Sequence, residues 1–399
     1  MERDIYHNNR KLAAAEARIG KAAIGDKNKG LILDFKKHLV LRDISTGRIV
    51  KYVNTLKQIA VNMKMDFDAA TKKDIERIVA EIQQNESFSE WTKRDYKQII
   101  KTFYQWLRNS GDDFPDEVRW IKTRIKKHRQ KLPEELLTEE DVRKMIEAAQ
   151  NARDKALVAI LFDSGCRIGE IGLLKIKDVN YDEYGAVLSV KGKTGARNVR
   201  IINSACYLSS WLNLHPNKDD KEAFVWVNVS NNHRGELTSY TRIRCQLKVL
   251  AKKAGIKKKV NPHQFRHSRA TEVANFLTEF QMNQHFGWVQ GSGMPATYVH
   301  LSGKNTDDAL LKMNGLAVKK HEKEPESRTK TCPRCKALNS PDFKLCHKCG
   351  ALMDLKTAVE LQESVKERSR MDEALDILTK NPDFLTLLAS RMKEMGIKV

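Results

Sequence analysis

The sequence predicts a mainly α-helical protein with one small β-sheet: an all-helical N-terminal domain, then an α+β domain, then a cysteine ribbon with a helical tail. Three observations carry that reading. Apolar residues recur at three- and four-residue spacing through residues 45–107, two β-rich runs flank one glycine-bounded turn after residue 185, and two C-x2-C pairs stand near the C-terminus.

Taken in order, residues 1–30 read as a polar, frayed segment and residues 31–118 as the helical domain. From Ser45, the positions Ile49, Tyr52, Val53, Leu56, Ile59 and Ala60 form one helix face. Thr71 and Asp74 have the spacing of a capping box, and Ile75, Ile78, Val79 and Ile82 continue the stripe. A further helix from Ser89 carries Ile99, Ile100, Phe103, Trp106 and Leu107, an aromatic stripe whose spacing predicts core, and Asn109-Ser110-Gly111 ends it. Residues 119–137 read as a basic linker, because Arg119, Lys122, Arg124, Lys126, Lys127, Arg129 and Lys131 stand there without an acidic residue before Leu132-Pro133 and a cap at Thr138. The α+β domain is expected over 138–315, with a hairpin of Ala186-Val187-Leu188-Ser189-Val190 and Val199-Arg200-Ile201-Ile202 around Gly192-Lys193-Thr194-Gly195. A hydrophilic linker (316–330), the ribbon (331–353) and a helical tail (354–399) follow.

Charge and composition narrow the function classes. Lys and Arg number 72 against 51 Asp and Glu, a formal charge of +21, and charged residues reach 31% where about 25% is average. Such an excess points to a polyanionic partner, nucleic acid ahead of an anionic membrane surface. The longest apolar run, residues 156–162, is far short of the ~20 residues of a spanning helix, so no membrane span is expected, and no membrane stands among the expected partners. The first residues show no apolar leader, which predicts a reducing cytoplasm and argues against a disulfide framework.

The cysteine spacing is the most specific signal. Cys332-Pro333-Arg334-Cys335 and Cys346-His347-Lys348-Cys349 offer four thiolates to one Zn2+, a closed and therefore structural site. His347 is expected at the surface rather than as a ligand, and Cys166, Cys206 and Cys245 as small apolar residues. Elsewhere, Arg167 stands at a helix break in Gly165-Cys166-Arg167-Ile168-Gly169-Glu170-Ile171, with Glu170 placed to orient it or to cap the next helix. Asn261-Pro262 is a helix start, and His263 and Arg266 share a face there, an arrangement suited to a phosphate. Phe286-Gly287-Trp288 and Thr297-Tyr298-Val299-His300 complete the series; each motif alone is equally compatible with ordinary packing.

In order, however, Arg167, Lys193, His263, Arg266, Trp288 and Tyr298 resemble the signature of the tyrosine recombinase/integrase family. The phrases G-C-R-I-G-E-I, N-P-H-Q-F-R-H-S-R-A-T, F-G-W and T-Y-V-H-L-S-G carry the likeness, which spans about residues 137–311. Less specifically, the N-terminal helices are similar to the family's SAM-like core-binding domain, and the tyrosine box with the zinc ribbon looks like integrases of archaeal chromosomes and mobile elements. The resemblance implies a site-specific DNA recombinase that acts through a 3′-phosphotyrosyl intermediate and a Holliday junction, as a homotetramer on double-stranded attachment sites. It assigns Tyr298 as nucleophile, Arg167 and Arg266 as phosphate clamp, His263 as candidate base and Lys193 as acid, with Lys191 a rival on the same strand face. Trp288, where many members have histidine, would donate its indole N–H. No catalytic metal or nucleotide is expected.

The rival readings are a catalytically silent DNA-binding or architectural protein and a type IB topoisomerase-like relaxase. The basic linker, Arg119 to Lys131, is expected on the DNA backbone, and the chain at the nucleoid. Phe384, Leu385, Leu387, Leu388, Met392 and Met395 give the tail an apolar face suited to packing in cis or on a neighbouring protomer.

Overall fold

The computed structural model describes residues 4–125, 133–301, 329–341 and 343–353, with short further stretches between 313 and 391. The chain divides into two compact units, Met1–Leu132 and Pro133–Val399.

The first unit is built from helices α1 (Asn8–Gly20), α2 (Asp26–Leu41), α3 (Thr46–Met63), α4 (Lys72–Gln84), α5 (Glu90–Leu107) and α6 (Asp116–Arg119). Local signals set the boundaries. Thr71 and Asp74 close a capping box on α4, and Ser89 Oγ accepts the Thr92 N–H at 3.2 Å to start α5. The faces so presented bury Ile49, Val53 and Leu56 of α3, Ile75 and Ile78 of α4, and Phe103 of α5, whose ring packs edge-on to Phe35 and Phe67 at 5.3 and 4.8 Å.

Two expectations fail here. The described residues 4–30 are not a frayed segment: α1 sends Ala15 and Ile19 into the core, and Gly30 lies inside α2, whose Ile32, Phe35 and Leu39 are buried. The apolar stripe of α1 is narrow and set among polar residues, which hides it from a composition reading. Nor is 119–137 a linker throughout. Arg119 is the last residue of α6 and pairs with Asp116 at 2.9 Å, while Leu137 is buried in the second core and donates its N–H to Ser268 Oγ at 2.8 Å.

The second unit contains α7 (Glu139–Ala148), α8 (Ala152–Ser164), α9 (Ile168–Gly172), a sheet of β1 (Val179–Asp182), β2 (Gly185–Gly192) and β3 (Gly195–Ile201), then α10 (Ala205–Asn213), α11 (Tyr240–Lys253), α12 (Pro262–Val273), α13 (Glu279–Phe286) and α14 (Met294–Leu301). Helix α8 is buried on every side, its apolar run being core rather than membrane span. The sheet is antiparallel in the order β1-β2-β3, and β2 pairs with β3 so that Gly192 faces Gly195 and Lys193-Thr194 forms the two-residue turn.

The ribbon follows, with β4 (Lys330–Thr331) paired to β5 (Leu338–Asn339). It packs on α10: Tyr207 Oη and Ser340 Oγ are 2.9 Å apart, and the Tyr207 and Phe343 rings meet edge-to-face at 5.1 Å. Among the described residues no helix is long and apolar enough to cross a membrane. Helical turns recur between residues 367 and 391, but Leu387, Leu388, Met392 and Met395 of the expected tail face lie outside the described residues, as does most of the 316–330 linker.

Candidate active site

The site begins where α8 stops. Gly165 takes φ +57°, and a Cβ there would come within 2.6 Å of the Phe286 ring, so glycine both ends the helix and lets α13 approach. Two residues on, Arg167 caps α9. Its main-chain N–H donates to Glu170 Oε2 at 2.9 Å and its Nη1 to Glu170 Oε1 at 3.1 Å, so Glu170 caps the helix and orients the arginine at once.

The second arginine arrives from α12, which Asn261 caps by accepting the Gln264 N–H at 3.1 Å and Pro262 enters at the first turn. Arg266 is buried to 3% exposure. It donates to Gly165 O at 3.1 Å and Phe286 O at 2.7 Å. Arg167 reaches the same stretch of backbone, Phe286 O at 3.5 Å and Gly287 O at 3.2 Å. Burial, and then the neighbouring Arg167, pull the Arg266 guanidinium down to about 10, a like-charge pair held for an anion.

Arg197, which no motif in the sequence singles out, completes the framework. It grips both oxygens of Glu170 at 2.9 Å and donates to His285 O at 2.8 Å. Burial alone would raise the Glu170 carboxyl; pairing with Arg197 outweighs it and holds the group below its ordinary value. The missed signal is alternation: Arg197, Val199 and Ile201 occupy the inward positions of β3, so an arginine stands where an apolar residue is expected.

Glu170 also meets the hairpin. A Cβ on Gly192 would lie 2.3 Å from Glu170 Oε1. At the tip, Thr194 Oγ1 donates to Gly287 O at 2.9 Å, which fastens the turn carrying Lys193 beside the backbone that receives Arg167. Lys193 is exposed there; Lys191 is exposed too, opposite Ala196.

The phenol comes from α14. Tyr298 is 3% exposed, stacked on Trp288 with ring centroids 5.4 Å apart and planes within 6°. Trp288 in turn stacks on Phe286 at 4.8 Å, and the Arg266 guanidinium lies 5.4 Å from the indole centroid. Burial pushes the Tyr298 phenol up, and Arg266 partly offsets this. The hydroxyl pairs with His267 Nδ1 at 2.7 Å, whereas the resemblance implies His263 as its base. The difference is one helical turn: His263 is exposed in the first turn of α12, its ring edge-on to His267 at 4.3 Å.

Of the basic run, Arg119 is ion-paired and Lys122 and Arg124 are exposed, whereas Lys126, Lys127, Arg129 and Lys131 lie outside the described residues. A second basic surface is a cleft lined by Arg244, Lys248, Lys252, Lys258 and Lys259 beside the α12 start.

The four sulfurs of Cys332, Cys335, Cys346 and Cys349 all lie within 4.8 Å of one another and could hold a metal ion. The two knuckles repeat one geometry. Lys336 and Gly350 both have positive φ and return their N–H groups to Cys332 O and Cys346 O at 3.0 and 2.9 Å, and Lys348 N–H donates to Cys346 Sγ at 3.4 Å. His347 turns instead to Asn339 Oδ1, 2.9 Å from Nδ1.

Two guanidiniums and a buried phenol gathered on the Phe286–Trp288 stretch are groups whose chemistry suits attack on a phosphodiester, as in enzymes that break DNA strands through a protein tyrosine. Residues 135–304 match the phage integrase family. Tyrosine recombinase XerA of Pyrococcus horikoshii is 25% identical over 288 residues, 71% of this chain and 94% of that protein. The Pyrococcus furiosus XerA is 30% identical over 191 residues, 47% of this chain and 65% of that one. The fold is shared with a lambda integrase dimer bound to a COC′ core site (TM-score 0.54, 15% identity, 69% of this chain and 78% of that one). It is shared equally with XerH recombinase bound to palindromic difH substrate (TM-score 0.54, 17% identity, 78% and 96%). Residues 135–304 thus carry a phage integrase family domain, and over 71% of its length the chain is similar to a curated tyrosine recombinase.

Proposed function

We propose that this chain is a site-specific DNA recombinase that cuts double-stranded DNA by attack of Tyr298 Oη on a phosphodiester, storing the bond as a 3′-phosphotyrosine that a partner strand's 5′-hydroxyl later resolves through a Holliday junction. The observation that carries this reading is convergence. Arg167, Arg266 and the Lys193 turn are all tied to the carbonyls of Phe286 and Gly287, one residue from the indole on which Tyr298 stacks.

Each group then has a duty that its chemistry fits. The two guanidiniums grip the non-bridging oxygens and stabilise charge that grows in the transition state. Trp288 adds one N–H donor, His263 faces the DNA from the helix start, and Lys193 protonates the departing 5′-oxygen. Covalent storage of the phosphodiester energy removes the need for ATP. The basic residues from Arg119 onward and the cleft beside α12 contact the phosphate backbone. The working assembly is a homotetramer on DNA, and the tail with Phe384 and Leu385 seats on a neighbouring protomer. The four cysteines hold Zn2+, which folds the ribbon and takes no part in the chemistry. The setting is a cytoplasmic chromosome or mobile element.

A library of nicked duplexes with randomised sequence around the nick tests this. The full chain is expected to form a protein–DNA adduct that survives denaturation, sequencing of which gives the attachment site, and Tyr298→Phe is expected to form none. Tight binding without adduct would overturn the reading.

A further inference from the structure

The hydroxyl of Tyr298 and Nδ1 of His267 are 2.7 Å apart, inside a layer that leaves the tyrosine 3% exposed. We propose that His267, rather than His263, takes the phenolic proton as Tyr298 attacks phosphorus. This rests on the reading of Tyr298 as nucleophile and adds to it a catalytic residue outside the six that the resemblance supplies.

Geometry carries the assignment. A candidate base must lie within about 2.6–3.2 Å of the proton it removes, and His267 does so before any DNA is bound. The contact is also held from both sides. Trp288 lies parallel to the tyrosine ring and holds its plane, while the His267 ring is flanked by the tyrosine at 5.7 Å and by His263 at 4.3 Å. A neutral imidazole has one acceptor nitrogen, and a phenol has one proton to give, so a hydroxyl donating to Nδ1 requires the hydrogen of that ring to sit on Nε2.

The step balances without an outside reagent. The Oη–H bond breaks and its proton goes to Nδ1, giving imidazolium; the Oη–P bond forms; the P–O5′ bond breaks and the 5′-oxygen takes a proton from Lys193. Rejoining runs the same transfers backward, with imidazolium returning the proton to the leaving phenol. Burial of the hydroxyl makes the base necessary, because a desolvated phenol does not ionise ahead of attack. Exposed at the mouth of the same helix, His263 is left to meet the DNA phosphate.

The test uses the full chain and the nicked-duplex library. In His267→Asn the side-chain oxygen can stand where Nδ1 stands and accept the same hydrogen bond, but it cannot take up the proton. Gel-shift affinity and melting temperature are expected to match the wild type, while the first-order rate of adduct formation falls at least about 100-fold and added imidazole restores part of it. A rate within about threefold of wild type, or a loss that imidazole leaves untouched, would overturn the proposal. Spectra of the 15N-histidine-labelled wild type give a readout independent of the variant's folding. The Nε2–H tautomer, with Nδ1 shifted in Tyr298→Phe, supports the proposal, and the Nδ1–H tautomer defeats it. If the wild type makes no Tyr298-dependent adduct, the recombinase reading fails instead.

Discussion

Arg167 and Arg266 donate to one main-chain oxygen, that of Phe286, at 3.5 and 2.7 Å, although they come from helices a hundred residues apart in sequence. Sharing that acceptor holds two positive charges close together, beside a Glu170 carboxylate that Arg197 also engages. A phosphate that enters relieves the repulsion and replaces solvent, so its binding and its transition state both gain.

The arginine pair should therefore separate binding from cleavage. Arg167→Ala is expected to lower the rate of adduct formation by about 100-fold or more while gel-shift affinity changes by less than about fivefold, since most affinity comes from the many backbone contacts. Single-turnover kinetics beside binding isotherms check it. Equal losses in both would place Arg167 in the footprint and not in the reaction.

Gly192 offers a test of the framework behind the arginines. A methyl at that position would meet Glu170 Oε1 at 2.3 Å, and Glu170 is almost fully buried between Arg167 and Arg197. Gly192→Ala is expected to destabilise the chain by about 1–3 kcal/mol through overpacking and to slow cleavage more than binding, because both arginines lose their common partner. Thermal melts and adduct rates measured on the same preparation decide; unchanged melting would show that the carboxylate yields without cost.

How much of this was legible in the sequence follows from the range of each signal. Caps at Thr71, Ser89, Thr138 and Asn261 depend on neighbours a few residues away and were readable, as was the Lys193-Thr194 turn between two glycines. The family phrases singled out Arg167, Arg266, Trp288 and Tyr298, and the structure brings these together. Arg197 was hidden because its partner Glu170 lies on another element and only the strand's inward alternation betrays it. His267 was hidden for a simpler reason: which of two histidines a turn apart meets the tyrosine depends on where α14 packs, and spacing does not encode that. The burial of α1 depended likewise on tertiary partners.

Acid should loosen the second unit through His285. Its Nε2 is 3.0 Å from Ser164 O, and burial followed by the charge of Arg269 lowers the imidazole from 6.5 to about 4. The folded state thus keeps the ring neutral where the unfolded chain would protonate it. Stability from this group is fully present above pH 6.5 and is lost as pH falls from there to about 4, by at most roughly 3 kcal/mol given the ring's partial exposure. Melting curves across that window are expected to slope downward in acid, and His285→Gln, which keeps an amide donor for Ser164 O, should flatten the slope. A variant as acid-sensitive as the wild type would assign the loss to other groups.

Metal removal should act on the ribbon and on its seat against α10. With four thiolates and no open position, the bound ion's free energy is folding free energy, so metal analysis is expected to give one Zn2+ per chain, and Cys346→Ser to lose it. The loss should reach beyond the ribbon, because Ser340 and Phe343 lie between the knuckles and touch Tyr207 of α10. Hydrogen exchange is therefore expected to quicken in α10 after chelation, while the Phe286 and Gly287 amides, held in α13 and its C-cap, stay protected. Exchange rising at Phe286–Gly287 as much as at α10 would show that the ribbon supports the site itself; exchange unchanged at α10 would show that the contact through Tyr207 carries no stability between the two.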